Sequence, residues 1–234
     1  MKATFTFINE LNDFLTHYRK NTPFRLEFEP HQSLKHLIES LGVPHTEFGQ
    51  VLVNGQAADA SNRLHDQAQV IVYPADSPLD NEGCFILDNH LGQLATYLRM
   101  LGFDCQYRND YQDDELARIS IEQGRVLLTR DRRLLMRKEI RRGYCIHQTD
   151  PRLQTAELLR RFKLFGQVKP FRRCLRCNSP LQPVAKQEIL ERLEPLTKRY
   201  YDEFHLCPSC NQIYWKGSHF EHMQQMILEL AAQQ

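Results

Sequence analysis

Two apolar runs in this chain stop at a carboxylate. "CFIL" at 84–87 ends on Asp88, and "RVLL" at 125–128 runs through Thr129 and Arg130 to Asp131. An acidic pair, Asp113 and Asp114, opens the segment "DDELARISIEQG". Carboxylates gathered at one place repel one another unless a cation lies between them, and hard cations such as Mg²⁺ or Mn²⁺ suit oxygen donors. Metal held in this way polarises a phosphodiester and activates water. A second set is of another kind. Cys174 and Cys177 in "CLRC", and Cys207 and Cys210 in "CPSC", supply two knuckles spaced to close around a tetrahedral zinc. Four thiolates leave no open coordination position, so such a zinc holds structure. Redox chemistry competes for either pair alone.

The elements that must carry these residues are readable from periodicity. "CFIL" is a continuous apolar run, "FDCQYR" alternates, and "RVLL" and "YCIH" are short and apolar. Between them lie amphipathic stretches. In "HLGQLATYLRMLG", Leu91, Leu94, Ala95 and Leu98 share one face, and "DDELARISIEQG" has Asp113 as N-cap and Gly124 as stop. "DRRLLMRKEIRRG" is expected to be a helix throughout. Strands alternating with helices imply a parallel sheet covered on both faces. Ligands of such sheets bind beyond the carboxyl ends of the strands, where Asp88, Asp131 and the helix opening at Asp113 are expected to meet. The alternative for Asp113 and Asp131 is helix capping alone.

The first third has a different pattern. "TFTFI" and "FRLEFE" alternate as half-buried strands, and "SLKHLIESLG" is a helix from the Ser33 cap to Gly42. "QVLVNGQ" runs into an Asn54-Gly55 turn, and "AQVIVYP" is a further strand. Strand, strand, helix, strand, strand is the order of a β-grasp domain. "YPADSPLDNEG", with Pro74, Pro78 and Gly83, reads as a linker. Residues 1–83 hold 6 Lys/Arg against 11 Asp/Glu, whereas residues 84–170 hold 16 against 11. A polyanion is one candidate partner for the basic middle, and a solvated surface is the alternative. The cations concentrate in "RDRRLLMRKEIRRG", including Arg130, Arg137 and Arg141, with Leu134 and Leu135 expected to face the core. No apolar run approaches the ~20 residues of a membrane span. The acids in "MKATFTFINELNDF" argue against an export signal, so a cytoplasmic protein is expected. Cys84, Cys105 and Cys145 sit in apolar or alternating runs and read as core residues.

These residues carry two resemblances. "VLVNGQ", Leu64 and "QVIVYP" resemble the ubiquitin-like sulfur carriers, which need a C-terminal Gly-Gly. Here the chain runs on through Tyr73, Pro74, Ala75 and Asp76, so a docking, regulatory or capping module is expected instead. "FILDNHLGQLATYLRMLGFD", "DDELARISIEQGRVLLTRD" and the paired cysteines resemble the Mut-seven C-terminal ribonuclease family, a PIN-like nuclease fold joined to a zinc ribbon. The resemblance implies a ubiquitin-like β-grasp domain at 1–76, a PIN-like parallel sheet with flanking helices at 84–170, and a zinc ribbon with a C-terminal helix at 171–234. It implies metal-dependent cleavage of RNA by Asp88, Asp113 with Asp114 beside it, and Asp131. Asp150 is a further candidate acid, and Thr129, Arg130, Arg137 and Arg141 are candidates for phosphate contact. "YWKGSHF", with Tyr214, Trp215, Lys216 and His219, offers either core packing or a stacking surface for unpaired bases. The alternative function is a non-catalytic RNA-binding or partner-docking protein on the same fold.

Overall fold

The computed structural model describes residues 1–76, 83–170 and 172–231. Contacts divide the chain into two compact units, Met1–Ser77 with Gln112–Ile146, and Pro78–Tyr111 with His147–Gln234. Most of the expected linker, and Phe171, lie outside the described residues. None of the described helices is long and apolar enough to cross a membrane.

The chain opens with β1 (Lys2–Phe7) and β2 (Phe24–Glu27), then α1 (Leu34–Ser40), β3 (Phe48–Val53), β4 (Gln56–Ala58) and β5 (Ala68–Pro74). They form one sheet of order β2-β1-β5-β3-β4, with β1 parallel to β5 and the other pairs antiparallel. Ser33 caps α1 by accepting the His36 N–H, and Gly42 ends it at φ +96°. Asn54 and Gly55 both take positive φ, the two-residue hairpin that matches strand twist, and so join β3 to β4. The strand β4 is an addition to the expected order, because its "QAA" carries no apolar alternation. Phe5, Leu34, Ile38 and Val72 are fully buried and form the centre of this sheet–helix layer. A 3-10 turn at Asn9–Phe14, also without a periodic signal, is held by Asn12, whose amide donates to the Phe7 and Asn9 carbonyls.

Next come β6 (Cys84–Leu87), α2 (Gly92–Met100), β7 (Asp104–Tyr107), α3 (Asp113–Gln123), β8 (Val126–Thr129), α4 (Arg132–Leu135), β9 (Gly143–Cys145) and α5 (Pro151–Arg161). In the second unit β6 and β7 pair in parallel, and α2 packs on β7 and α5. In the first unit β8 and β9 pair in parallel, with α3 and α4 against β8. These are the parallel strands with flanking helices that the alternation required, and Phe85, Ile86, Leu87, Leu127 and Leu128 are 0% exposed.

Two local expectations are corrected. The cap of α3 is Gln112, and Asp113 is its first helical residue. Asp113, Asp114 and Glu115 then occupy the first turn, where the helix dipole favours negative charge. The basic segment is helical only over Arg132–Leu135, so Arg137 and Arg141 lie beyond the helix. Continuing it would stack Arg133, Arg137 and Arg141 at i, i+4 spacing, where like charges repel. Instead the Ile140 N–H turns back to the Arg137 carbonyl and the Ile140 side chain is fully buried. Leu134 and Leu135 do face the core.

The remaining elements belong to the second unit: β10 (Gln182–Val184), α6 (Lys186–Ile189), α7 (Pro195–Tyr200), β11 (Phe204–Leu206), β12 (Ile213–Trp215) and α8 (Ser218–Ala231). The three strands form an antiparallel sheet in sequence order. Its core among the described residues is small: Ile189, Leu193, Phe204 and Ile213, with Tyr201 and Trp215 packed on it.

Candidate metal centre and carboxylate positions

The two CxxC knuckles meet. The Sγ atoms of Cys174, Cys177, Cys207 and Cys210 all lie within 4.8 Å of one another. Cys174 and Cys210 are 3.5 Å apart, and Cys177 and Cys207 are 3.4 Å apart. Zinc–sulfur bonds of about 2.3 Å require sulfur–sulfur edges of about 3.8 Å in a tetrahedron, so the donor set fits zinc. Both knuckles are built alike. The Cys174 carbonyl accepts the Asn178 N–H and the Cys207 carbonyl accepts the Asn211 N–H, each at 2.9 Å. Asn178 and Asn211 both take positive φ (68° and 58°), which Asn tolerates better than most side chains. Burial opposes ionisation of Cys177, but the Ser179 N–H and hydroxyl and the adjoining thiols hold it down at about 6. The Gln212 N–H favours the Cys210 thiolate, yet burial and the other three thiols push it up to about 12.

This centre is tied to the parallel strands of its own unit. Arg99, 4% exposed, donates from Nε to the Cys105 carbonyl (2.9 Å). From Nη1 it reaches the Leu175 and Arg176 carbonyls (3.1 and 3.2 Å) inside the first knuckle. Burial pulls its guanidinium below the usual range. Asn178 accepts the Cys105 N–H and donates to Asp104, and Arg173 pairs with the same carboxylate at 3.2 Å. Tyr214 Oη accepts the Leu175 N–H and lies 3.1 Å from Cys174 Sγ. Burial, with Cys174 beside it, raises its phenol well above the ordinary value. Tyr214 is thus a strut of the knuckle, while Trp215 is half-buried against Phe204 and Tyr201. The His219 side chain lies outside the described residues. Sequence reading missed Asn178, Asn211 and Arg99. The repeated "CxxCN" was a signal for the two asparagines, whereas nothing local marks Arg99.

The carboxylates divide between the units. Asp88, 9% exposed, follows β6 directly and accepts the Asn89 N–H at 2.6 Å, capping a short 3-10 turn. Asp150 caps α5 by accepting the Arg152 and Leu153 N–H groups. Both belong to the second unit. Asp113, Asp114 and Asp131 belong to the first, with Thr129, Arg130, Arg137 and Arg141. Asp131 is exposed; its carboxylate accepts the Arg133 N–H at 2.8 Å and caps α4. Its own N–H donates to the hydroxyl of Thr129, which is 0% exposed and fixes the turn from within. Asp114 accepts from Arg137 at 2.6 Å, and Arg137 also pairs with Glu139 at 2.9 Å. Those two carboxylates hold the Arg137 guanidinium above its ordinary range. Arg130 and Arg141 are exposed. Among the described residues, the four thiols are the one group of three or more potential metal-ligating atoms brought this close.

Comparison with known proteins divides the chain by sequence, and its second match takes in segments of both units. Residues 1–80 match the family model described as Mut7-C ubiquitin. Residues 84–227 match that described as the Mut7-C RNAse domain. Among curated proteins none matches the chain. The crystal structure of SAMP1 from Haloferax volcanii aligns with 33% of this chain and 98% of its own, at 14% identity and a TM-score of 0.27. The match over 84–227 spans more than half of the residues, together with the four-cysteine centre and the parallel strands that precede it. The chain belongs to the Mut7-C RNAse domain family, with a Mut7-C ubiquitin domain at its N-terminal end.

Proposed function

We propose that the chain is a metal-dependent ribonuclease that hydrolyses RNA phosphodiester bonds. The observation that carries this reading is the match of 84–227 to an RNAse domain. Asp88, Asp113, Asp114 and Asp131 are the acids, and as hard oxygen donors they suit Mg²⁺ or Mn²⁺. Capping leaves Asp131 further lone pairs for a cation, since a carboxylate has about four acceptor sites. When bound, the cation supplies charge neutralisation at the phosphate and an activated water. Arg137 orients Asp114, and with Arg130 and Arg141 it offers donors to phosphate. Zinc at the four cysteines holds the ribbon. In this reading 1–76 is the ubiquitin-like module, 84–170 the nuclease and 171–234 the ribbon with its helix. RNA is the partner, the module is a candidate protein-docking surface, and the location is cytoplasmic.

The test is cleavage of single-stranded RNA with Mg²⁺ or Mn²⁺, with and without chelator, by wild type and Asp88→Asn. Chelator-sensitive cleavage that Asp88→Asn loses is the expected result; equal cleavage by both proteins removes Asp88 from the site. One observation favours the non-catalytic alternative, an RNA-binding or docking protein. Asp88 and Asp131 each have a capping task that needs no catalysis. RNA binding without any cleavage by the wild type decides for that alternative.

The exposed cations give a second test. Charge reversal at Arg130 and Arg141 together, in the Asp131→Asn background, is expected to weaken single-stranded RNA binding. Each phosphate contact contributes about 0.7 to the slope of log affinity against log salt on single strands, so the slope should fall by about 1.4. An unchanged slope places the phosphate contacts elsewhere.

A further inference from the structure

The 3-10 turn at Asn9–Phe14 ends with carbonyls that a helix end leaves without partners of its own. Arg132 takes two of them. Its Nη1 donates to the Phe14 carbonyl at 3.0 Å and its Nη2 to the Asp13 carbonyl at 3.1 Å, with the guanidinium carbon 4.8 Å from the centre of the Phe14 ring. Arg132 is the residue after Asp131. On the other flank, Thr129 lies opposite Cys145 in the parallel β8–β9 pair, and its carbonyl accepts the Ile146 N–H at 2.8 Å. The Cys145 N–H is held at 2.6 Å by Glu47, a carboxylate only 2% exposed. A third grip lies between them in sequence, where His45 Nε2 sits 2.6 Å from the Ile140 carbonyl and Nδ1 2.8 Å from Glu39. All these residues belong to the first unit.

We infer that the ubiquitin-like module holds the Thr129–Asp131 turn in its working geometry, with Arg132 and Glu47 as positioning residues; this rests on the reading of Asp131 as a catalytic acid. The physical reason is the kind of group each grip uses. A carboxylate buried to this depth is costly unless it is hydrogen-bonded, and Glu47 holds a backbone N–H of the strand paired with Thr129. The fork of Arg132 fixes two carbonyls and an aromatic face at once, which a lysine ammonium cannot reproduce. The turn is thereby held on both sides by one module, with the Thr129 hydroxyl bonding the Asp131 N–H from inside. Asp131 needs such support because its side chain is exposed and its helix is four residues long.

The test uses the full-length protein with Arg132→Ala, Arg132→Lys and Glu47→Ala, at a temperature where far-ultraviolet circular dichroism and zinc content match wild type. Misplacing a catalytic group by about 1 Å costs on the order of 10²-fold in rate. Arg132→Ala is therefore expected to lower kcat by that order with KM for RNA unchanged, and to raise the Mn²⁺ concentration needed for half-maximal activity. Arg132→Lys should recover part of the loss, and Glu47→Ala should resemble Arg132→Ala. Amide exchange at 129–133 should speed up by roughly tenfold or more, since the turn opens locally. A merely structural role would lower the melting temperature and leave activity per folded molecule and the Mn²⁺ dependence unchanged. Cleavage within about twofold of wild type in Arg132→Ala, with unchanged exchange at the turn, overturns the inference. Asp131→Asn run in parallel separates the two claims. If it stays active the catalytic reading fails and with it the catalytic part of this inference, whereas an inactive Asp131→Asn beside a normal Arg132→Ala sinks the positioning role alone.

Discussion

Asp131→Asn is expected to abolish RNA cleavage while leaving the fold and the RNA affinity in place. Asparagine ranks with aspartate as a helix N-cap, so its side-chain oxygen still accepts the Arg133 N–H that Asp131 accepts at 2.8 Å. The backbone of the turn is also unaffected, because the bond to the Thr129 hydroxyl is made by the Asp131 N–H. What the substitution removes is one negative charge and an anionic oxygen donor. Loss of a single preorganised electrostatic group costs on the order of 10²–10³-fold in rate, and loss of a metal ligand is expected at or beyond the upper end of that range. RNA binding should hold or tighten, since a repulsive charge facing a polyanion is gone. The measurement is single-turnover cleavage of a labelled single-stranded RNA alongside its binding. Wild-type rates in a preparation shown free of contaminating nuclease would falsify the catalytic role of Asp131.

The other large effect concerns the cysteines. Cys207→Ser, or removal of metal by a strong chelator, is expected to unfold the ribbon rather than soften it. The ribbon core of Ile189, Leu193, Phe204 and Ile213 is too small to hold three short strands alone. Zinc binding contributes on the order of 10 kcal/mol or more in isolated zinc modules. Trp215 is the single tryptophan of the chain and packs on this core, so its emission reports the ribbon specifically. The damage should reach beyond the ribbon. Asn178 and Arg99 both hold backbone groups of Cys105 in β7, and both depend on the first knuckle. Exchange of the Cys105 amide is therefore expected to rise with metal loss. Metal analysis finding no tightly held zinc, or unchanged Trp215 emission after verified metal removal, would sink this prediction.

What the sequence made legible was whatever is encoded locally. Ser33, Gly42, the Asn54-Gly55 pair and Gly124 each mark a backbone event within a few residues of themselves, and each stands where the pattern put it. The four thiols meet because two knuckles of one spacing constrain each other strongly. The basic segment misled because its leucines have helical spacing for one turn only, after which like charges and the burial of Ile140 prevail. The Asp113 cap was misplaced by one residue, since Gln112 takes the cap position with no side-chain capping bond to mark it. Glu47, Arg99 and Arg132 were invisible for another reason. Each acts on a backbone group far away in sequence, in the case of Arg99 the Leu175 carbonyl, and single-chain periodicity carries no trace of such a bond.

The chain crosses between its two compact units three times, at about residues 77, 111 and 146. That interleaving has a consequence for synthesis. A chain emerging N-terminal end first folds as each unit becomes complete. The ubiquitin-like sheet emerges by residue 74, but the Arg132 and Cys145 groups that its Phe14 and Glu47 hold arrive about 60 to 70 residues later. The strands β6 and β7 wait longer, because Asn178 must be made before the Cys105 amide has its partner and Cys210 before the knuckles can close. During that interval the apolar "CFIL" strand is on the nascent chain without the ribbon that anchors its neighbour. Translation arrested between residues 111 and 174 should therefore yield chains that associate with holdases or aggregate, and release past Cys210 in the presence of zinc should end that association.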